Sequence, residues 1–109
     1  MSEMAYPISL MTQKSTRKVY REGTVQDFLG LSDSDMALIE TKIALTKKLR
    51  ERRQAIHMTQ TELARAMNTS QSRVAKIEAG DPSVSLDLIF TALTTAGVTR
   101  KGIGRAIIA

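Results

Sequence analysis

One histidine, no cysteine and carboxylates scattered singly along the chain are what this sequence offers to catalysis. A serine–histidine–aspartate relay needs three groups that converge, and nothing in the spacing around His57 builds one. No paired-carboxylate spacing is present either. Without cysteine there is no thiolate nucleophile and no sulfur-based zinc site, and a lone histidine makes no poly-histidine cage. Gly102-x-Gly104 lacks both the preceding strand and the further glycine of a phosphate-cradling loop. The expectation is therefore a chain that is not an enzyme and holds no metal or cofactor. What remains is charge: 16 basic residues against 11 acidic ones give a net +5. The excess lies in Lys42, Lys47, Lys48, Arg50, Arg52 and Arg53, opposed locally only by Asp35, Glu40 and Glu51. A basic chain suits a polyanionic partner, nucleic acid first and an anionic membrane second.

These side chains have to be held by a small fold. With 109 residues the chain fits one domain, and 42% hydrophobic with 25% charged residues is ordinary globular usage rather than disorder. Only Tyr6, Tyr20, Phe28 and Phe90 are aromatic, so Leu, Ile, Met, Val and Ala must build the core. No stretch approaches the ~18 apolar residues of a membrane span. The first residues lack the charge-then-apolar order of a signal peptide, and a cytoplasmic protein is expected.

Residues 1–23, rich in Ser, Thr, Lys and Arg, read as a flexible arm in which Lys14, Arg17, Lys18 and Arg21 are available to phosphates or a partner. Thr24 can cap a short turn over Val25–Leu29, closed by Gly30. Ser32 or Ser34 then caps a long helix over about 34–56, with Met36, Ile39, Ile43, Leu45, Leu49 and Ile56 as its apolar stripe. His57 stands where that helix must stop, being tolerant of the left-handed conformation. Thr59 with Glu62 forms a capping box for a second helix, in which Leu63, Ala66 and Met67 face inward and Asn68 is the terminator. Ser70 caps a third helix to about Ala79, stopped by Gly80-Asp81-Pro82. Ser85 and Asp87 open a fourth with the stripe Leu86, Ile89, Phe90, Leu93, ended by Gly97. Thr99 caps a fifth over 100–108, weakened by Gly102 and Gly104 at roughly 1 kcal/mol each against alanine. No period-two alternation is long enough for a sheet, so the fold is all-α.

The informative block is TQTELARAMNTSQSRVAKIEAG, Thr59 to Gly80: two short helices across a turn of three to four residues. Ala64 is small where the two backbones must approach. Val74 and Ile77 anchor the third helix, leaving Gln71, Ser72, Arg73 and Lys76 outward. This block resembles the Cro/phage-repressor (XRE) helix-turn-helix family, with Asn68 in place of the more frequent glycine. The wider stretch, REGTVQDFLGLSDSD followed by a basic helix and SLDLIFTALTTAG, is similar to HigA-type antitoxins and related regulators. The resemblance implies a five-helix Cro/lambda-repressor-like domain over 24–109, with its helix-turn-helix core at 59–80, behind the flexible arm 1–23.

It also implies a division of labour. Gln71, Ser72 and Lys76, with Arg73 on either phosphate or base, would read base edges in the major groove; glutamine suits adenine, and lysine the acceptors of guanine. Thr59 and Gln60 at the start of the second helix, Ser70, and Ser83 in the loop beyond would hold phosphates. Arg53 and Glu78 match a structural ion pair of the family. Lys47, Lys48, Arg50 and Arg52 lie along the DNA backbone or form a solvated face; the sequence leaves both open.

The partner that the resemblance implies is double-stranded DNA. One domain reads too few base pairs to be tight, so a homodimer on a palindromic operator follows, its surface at Ile103, Ala106, Ile107 and Ile108. The other class of function is an antitoxin sequestering a small RelE-like ribonuclease toxin, with Val25, Phe28 and Leu29 behind the arm as docking residues. Membrane binding is disfavoured by the absence of Trp and of a free apolar helix face, and RNA binding by the absence of an aromatic platform.

Overall fold

The computed structural model describes residues 25–109; the arm expected over 1–23 and the cap expected at Thr24 lie outside the described residues. The described residues fall into two compact units that divide between Met36 and Ala37. In the first, α1 (Val25–Phe28) is a single turn closed by Gly30 at φ +70°. The Gln26 amide donates to the Leu31 carbonyl and to Asp33 Oδ1. Ser32, of the two serines open to the role, starts α2 (Asp33–Ala55). Its Oγ accepts from the Asp35 amide at 3.1 Å while Asp35 Oδ2 accepts from the Ser32 amide at 3.0 Å. These bonds favour the charged carboxylate and hold Asp35 below its usual range.

In 37–109 the rest of α2 is joined by α3 (Gln60–Met67), α4 (Gln71–Glu78), α5 (Leu86–Thr95) and α6 (Arg100–Ile108). Among the described residues all regular structure is helical, the five expected helices and the short α1 turn. Each boundary has a local cause. His57 and Asn68 take the left-handed conformation at φ 57° and 60°. Thr59 and Glu62 close the capping box at 3.0 and 2.8 Å. Ser70, Ser85 and Thr99 each accept from the backbone amide three residues on. Each cap satisfies a donor that the first turn of a helix leaves unpaired.

The core is Leu45 and Leu49 of α2, Leu63 and Ala64 of α3, Val74 and Ile77 of α4, Ile89, Ala92 and Leu93 of α5, and Ile103 of α6, with Val84, Ala96 and Val98 between helices. It differs from the expected stripes in four ways. In α2 only Leu45, Thr46 and Leu49 are buried, while Ile39, Ile43 and Ile56 are exposed and Met36 is half-buried. At 1.5 Å per residue this 23-residue helix outruns the 8–10-residue helices available to cover it. In α3 the inward small residue is Ala64, and Ala66 is exposed. Along α5 and its C-cap the buried line is Ile89, Ala92, Leu93, Ala96, spaced three, one and three residues apart. Phe90, about 100° further round, is 44% exposed, and Leu86, in the first turn, is exposed as well. In α6 Ile103 is 5% exposed, so it belongs to this core and is not a surface residue.

Candidate nucleic-acid interface

α3 ends at Met67 and α4 begins at Gln71, so Asn68, Thr69 and Ser70 make the whole turn. Asn68 in the left-handed conformation lets the Thr69 amide reach the Ala64 carbonyl at 2.8 Å and the Asn68 amide reach Arg65 at 3.1 Å, closing α3 without a glycine. Ala64 of α3 is buried at 3% exposure, where a larger side chain would overpack the core. Val74 and Ile77 are fully buried. That fixes the opposite face of α4, and Gln71, Ser72, Arg73 and Lys76 all stand exposed along about 7.5 Å of helix axis. An α-helix is about 10–12 Å across with its side chains, which fits the roughly 12 Å width of a B-DNA major groove, and the eight-residue α4 is polar and cationic on one side.

A cleft of about 300 Å³ runs beside this face, lined by Ser70, Ser72, Arg73, Lys76, Ser83 and Ser85 over the apolar floor of Val84 and Leu88. The structure thus gathers five of the expected DNA-facing residues: Ser70, Ser72, Arg73, Lys76 and Ser83. Ser83 is already engaged, its Oγ and backbone N–H both donating to Asp81 Oδ1 at 2.7 and 2.8 Å. These bonds, with the nearby Lys76 charge, keep the Asp81 carboxyl low. Thr59, Gln60 and Gln71 line a separate, shallower depression with Arg53 and His57. Ala106, half-buried, and Ile107 and Ile108, exposed, lie on α6 and belong to neither.

Behind this face of α4 sits a charge pair largely removed from solvent. Arg53 Nε and Nη2 fork onto Glu78 Oε2 and Oε1 at 2.5 and 2.8 Å, and Nη1 donates to the Met58 carbonyl at 2.9 Å. The two side chains are 13% and 4% exposed. Burial pushes the Glu78 carboxyl up. Hydrogen bonds from Arg53 and Gln60, with the charges of Arg53 and Arg50, outweigh that and leave it below its ordinary value. The hydrogen bonds to Glu78, with its charge, raise Arg53 against the effect of burial. Gln60 Nε2 donates to Glu78 Oε1 at 3.1 Å, and Gln60 Oε1 accepts from Gln71 Nε2 at 2.7 Å. A side-chain grip by Gln60 on a phosphate therefore has one amide N–H left to use.

Two cations whose role the sequence left open have structural work. Arg50 Nη1 donates to the Glu78 carbonyl at the end of α4, and Arg52 Nε to the Ala96 carbonyl at the end of α5, both at 2.9 Å. Positive charge there also suits the helix dipoles. Nothing in the sequence could pair them, because the partners lie 28 and 44 residues away. Lys47 and Lys48 instead line a groove with Glu40, Glu51 and Arg105 between α2 and α6. Among the described residues no cluster of His, Cys, Asp or Glu could hold a metal ion, and no helix is long and apolar enough to cross a membrane.

Two short capped helices across a three-residue turn, the second presenting a polar face, make a helix-turn-helix. The helix-turn-helix family model matches residues 49–103, half of the chain, and the protein belongs to that family, the Cro/C1-type or XRE helix-turn-helix proteins. It is a DNA-binding transcription regulator. Neither curated proteins nor solved structures give a match.

Proposed function

We propose that this protein is a repressor that binds a palindromic operator as a homodimer, without catalysis. The observation carrying the proposal is the exposed row Gln71, Ser72, Arg73, Lys76 on a helix whose other face is locked by Val74, Ile77 and the Arg53–Glu78 pair. Gln71, Ser72 and Lys76 read base edges, with Arg73 on base or phosphate. Thr59, Gln60, Ser70 and Ser83 hold phosphates, Ser83 by turning its hydroxyl from Asp81. Two copies related by a two-fold axis would set their recognition helices about 34 Å apart in successive major grooves. A dimer lying across a promoter would exclude polymerase. A gel-shift titration on the DNA upstream of the protein's own gene, with random competitor, tests this. A competitor-resistant shift that disappears in Gln71→Ala/Lys76→Ala supports it; equal loss to any competitor refutes it.

A second reading has its own observation. On α1 and just beyond it, Val25, Phe28 and Leu29 are 64, 86 and 59% exposed, apolar surface that suits a protein partner. In this reading, which rests on the HigA-type resemblance, the partner is a small RelE-like ribonuclease toxin. Deleting residues 1–30 should then abolish toxin capture and leave DNA binding intact.

A further inference from the structure

A glutamine amide is ambiguous in what it shows a base: turned one way it offers an oxygen, turned the other an NH2 group. In this structure the choice at Gln71 is not left to the DNA. Three side chains run from the core to the reading face. Glu78 Oε1 accepts from Gln60 Nε2 at 3.1 Å, and Gln60 Oε1 accepts from Gln71 Nε2 at 2.7 Å. The inner end of this chain has a single polarity. A carboxylate forked onto Arg53 can only accept, so Gln60 must turn its NH2 inward. Its oxygen then faces Gln71, which must answer with its own NH2.

We propose that Glu78 is a positioning residue for base recognition, acting through Gln60 to fix the amide of Gln71 with its oxygen toward the DNA. Glu78 does not touch DNA; it sets the sign of the hydrogen bond that Gln71 makes. The oxygen, with one remaining N–H beside it, matches a base edge bearing an exocyclic amino group. In the major groove that is adenine N6 or cytosine N4; guanine and thymine present only acceptors there. The partner chemistry is thus an amino-bearing base at the pair facing Gln71. This deepens the proposed function and rests on Gln71 reading a base.

The test uses the full chain and a site selected from random DNA. The base pair read by Gln71 is the one whose preference vanishes in Gln71→Ala. Its base is then replaced by the analogue lacking the major-groove amino group. Wild type should lose about tenfold in affinity, the low end of one good base contact. Gln71→Ala should lose nothing further. In Gln60→Leu, which leaves the Arg53–Glu78 pair intact, the amide is free to turn and the loss should shrink to about twofold. Glu78→Gln should behave alike, since an amide there can donate or accept; if circular dichroism shows it unfolded, Gln60→Leu decides alone. A purely structural role would instead weaken all sequences equally and leave the analogue effect at its wild-type size, which overturns the proposal. So does a wild type indifferent to the amino group. If Gln71→Ala relaxes no position, the base reading itself fails, a separate outcome.

Discussion

Glu78 illustrates how much one side chain is asked to do. Its carboxylate accepts from Arg53 and Gln60, and its carbonyl accepts from Arg50. Removing one partner of a buried pair strands the other, which costs about 3–5 kcal/mol. Arg53→Ala or Glu78→Ala should therefore lower stability by that order in urea titrations, far more than truncating exposed Glu40. The pH dependence has a definite sign. The folded carboxyl sits below the ordinary glutamate value of 4.5, so its stabilisation is fully present above that value and is lost as pH falls through the lower folded value. Thermal melts should show the wild-type advantage over Glu78→Gln constant from neutral pH to about pH 5 and shrinking below about pH 4.5. Asp35 and Asp81 shift in the same direction and steepen the acid limb for the same reason.

The helices depend on their ends. Thr59→Ala breaks the capping box and should cost about 1 kcal/mol, read from the same titration. The glycines of the C-terminal third separate by what surrounds them. Gly104 lies inside α6 with nothing within 4 Å of a Cβ placed there. Gly104→Ala should stabilise by up to about 1 kcal/mol, by removing backbone freedom from the unfolded chain. Gly102→Ala should gain less, because its Cβ would meet Val98 Cγ1 at 3.1 Å. Gly97 is the opposite case: at φ +92° its Cβ would stand 2.8 Å from Arg52 Nη2. Gly97→Ala should cost about 1 kcal/mol or more and displace the arginine that caps α5.

For the protein acting as a unit, charge and assembly set the behaviour. DNA affinity should fall linearly with salt on logarithmic axes as condensed counterions are released. If Lys76 or Arg73 sits on a phosphate, changing it to Gln should reduce that slope by about one; a cation that reads a base would also relax specificity at one position. The proposed dimer has a narrower surface available to it than composition indicates. With Ile103 buried, the apolar area α6 offers a partner is Ile107 and Ile108 with part of Ala106. Ile107→Asp/Ile108→Asp should give a monomer in sedimentation that binds a half-site weakly and loses the palindrome. A variant that remains dimeric and binds normally places the interface elsewhere.

What could be read from residues alone was whatever depends on neighbours within about four positions. Thr59 with Glu62, Ser70, Ser85, Thr99, Asn68 and His57 mark the helix ends because capping and left-handed turns are local geometry. The all-α class and the outward row on α4 follow, since Val74 and Ile77 leave that row only one side to occupy. Burial of a long helix is a different matter: the periodicity of α2 shows which positions share a face, but not where its neighbours stop. That left Ile39 and Ile43 exposed against expectation; Phe90 is exposed for another reason, lying about 100° round α5 from its buried line. Arg50 and Arg52 looked like surface charge because a helix C-terminus 28 or 44 residues away has no trace in the local sequence. The run from Glu78 through Gln60 to Gln71 was equally hidden. Each residue is ordinary where it stands, and only the packing of α3 against α4 brings their hydrogen-bonding atoms within reach.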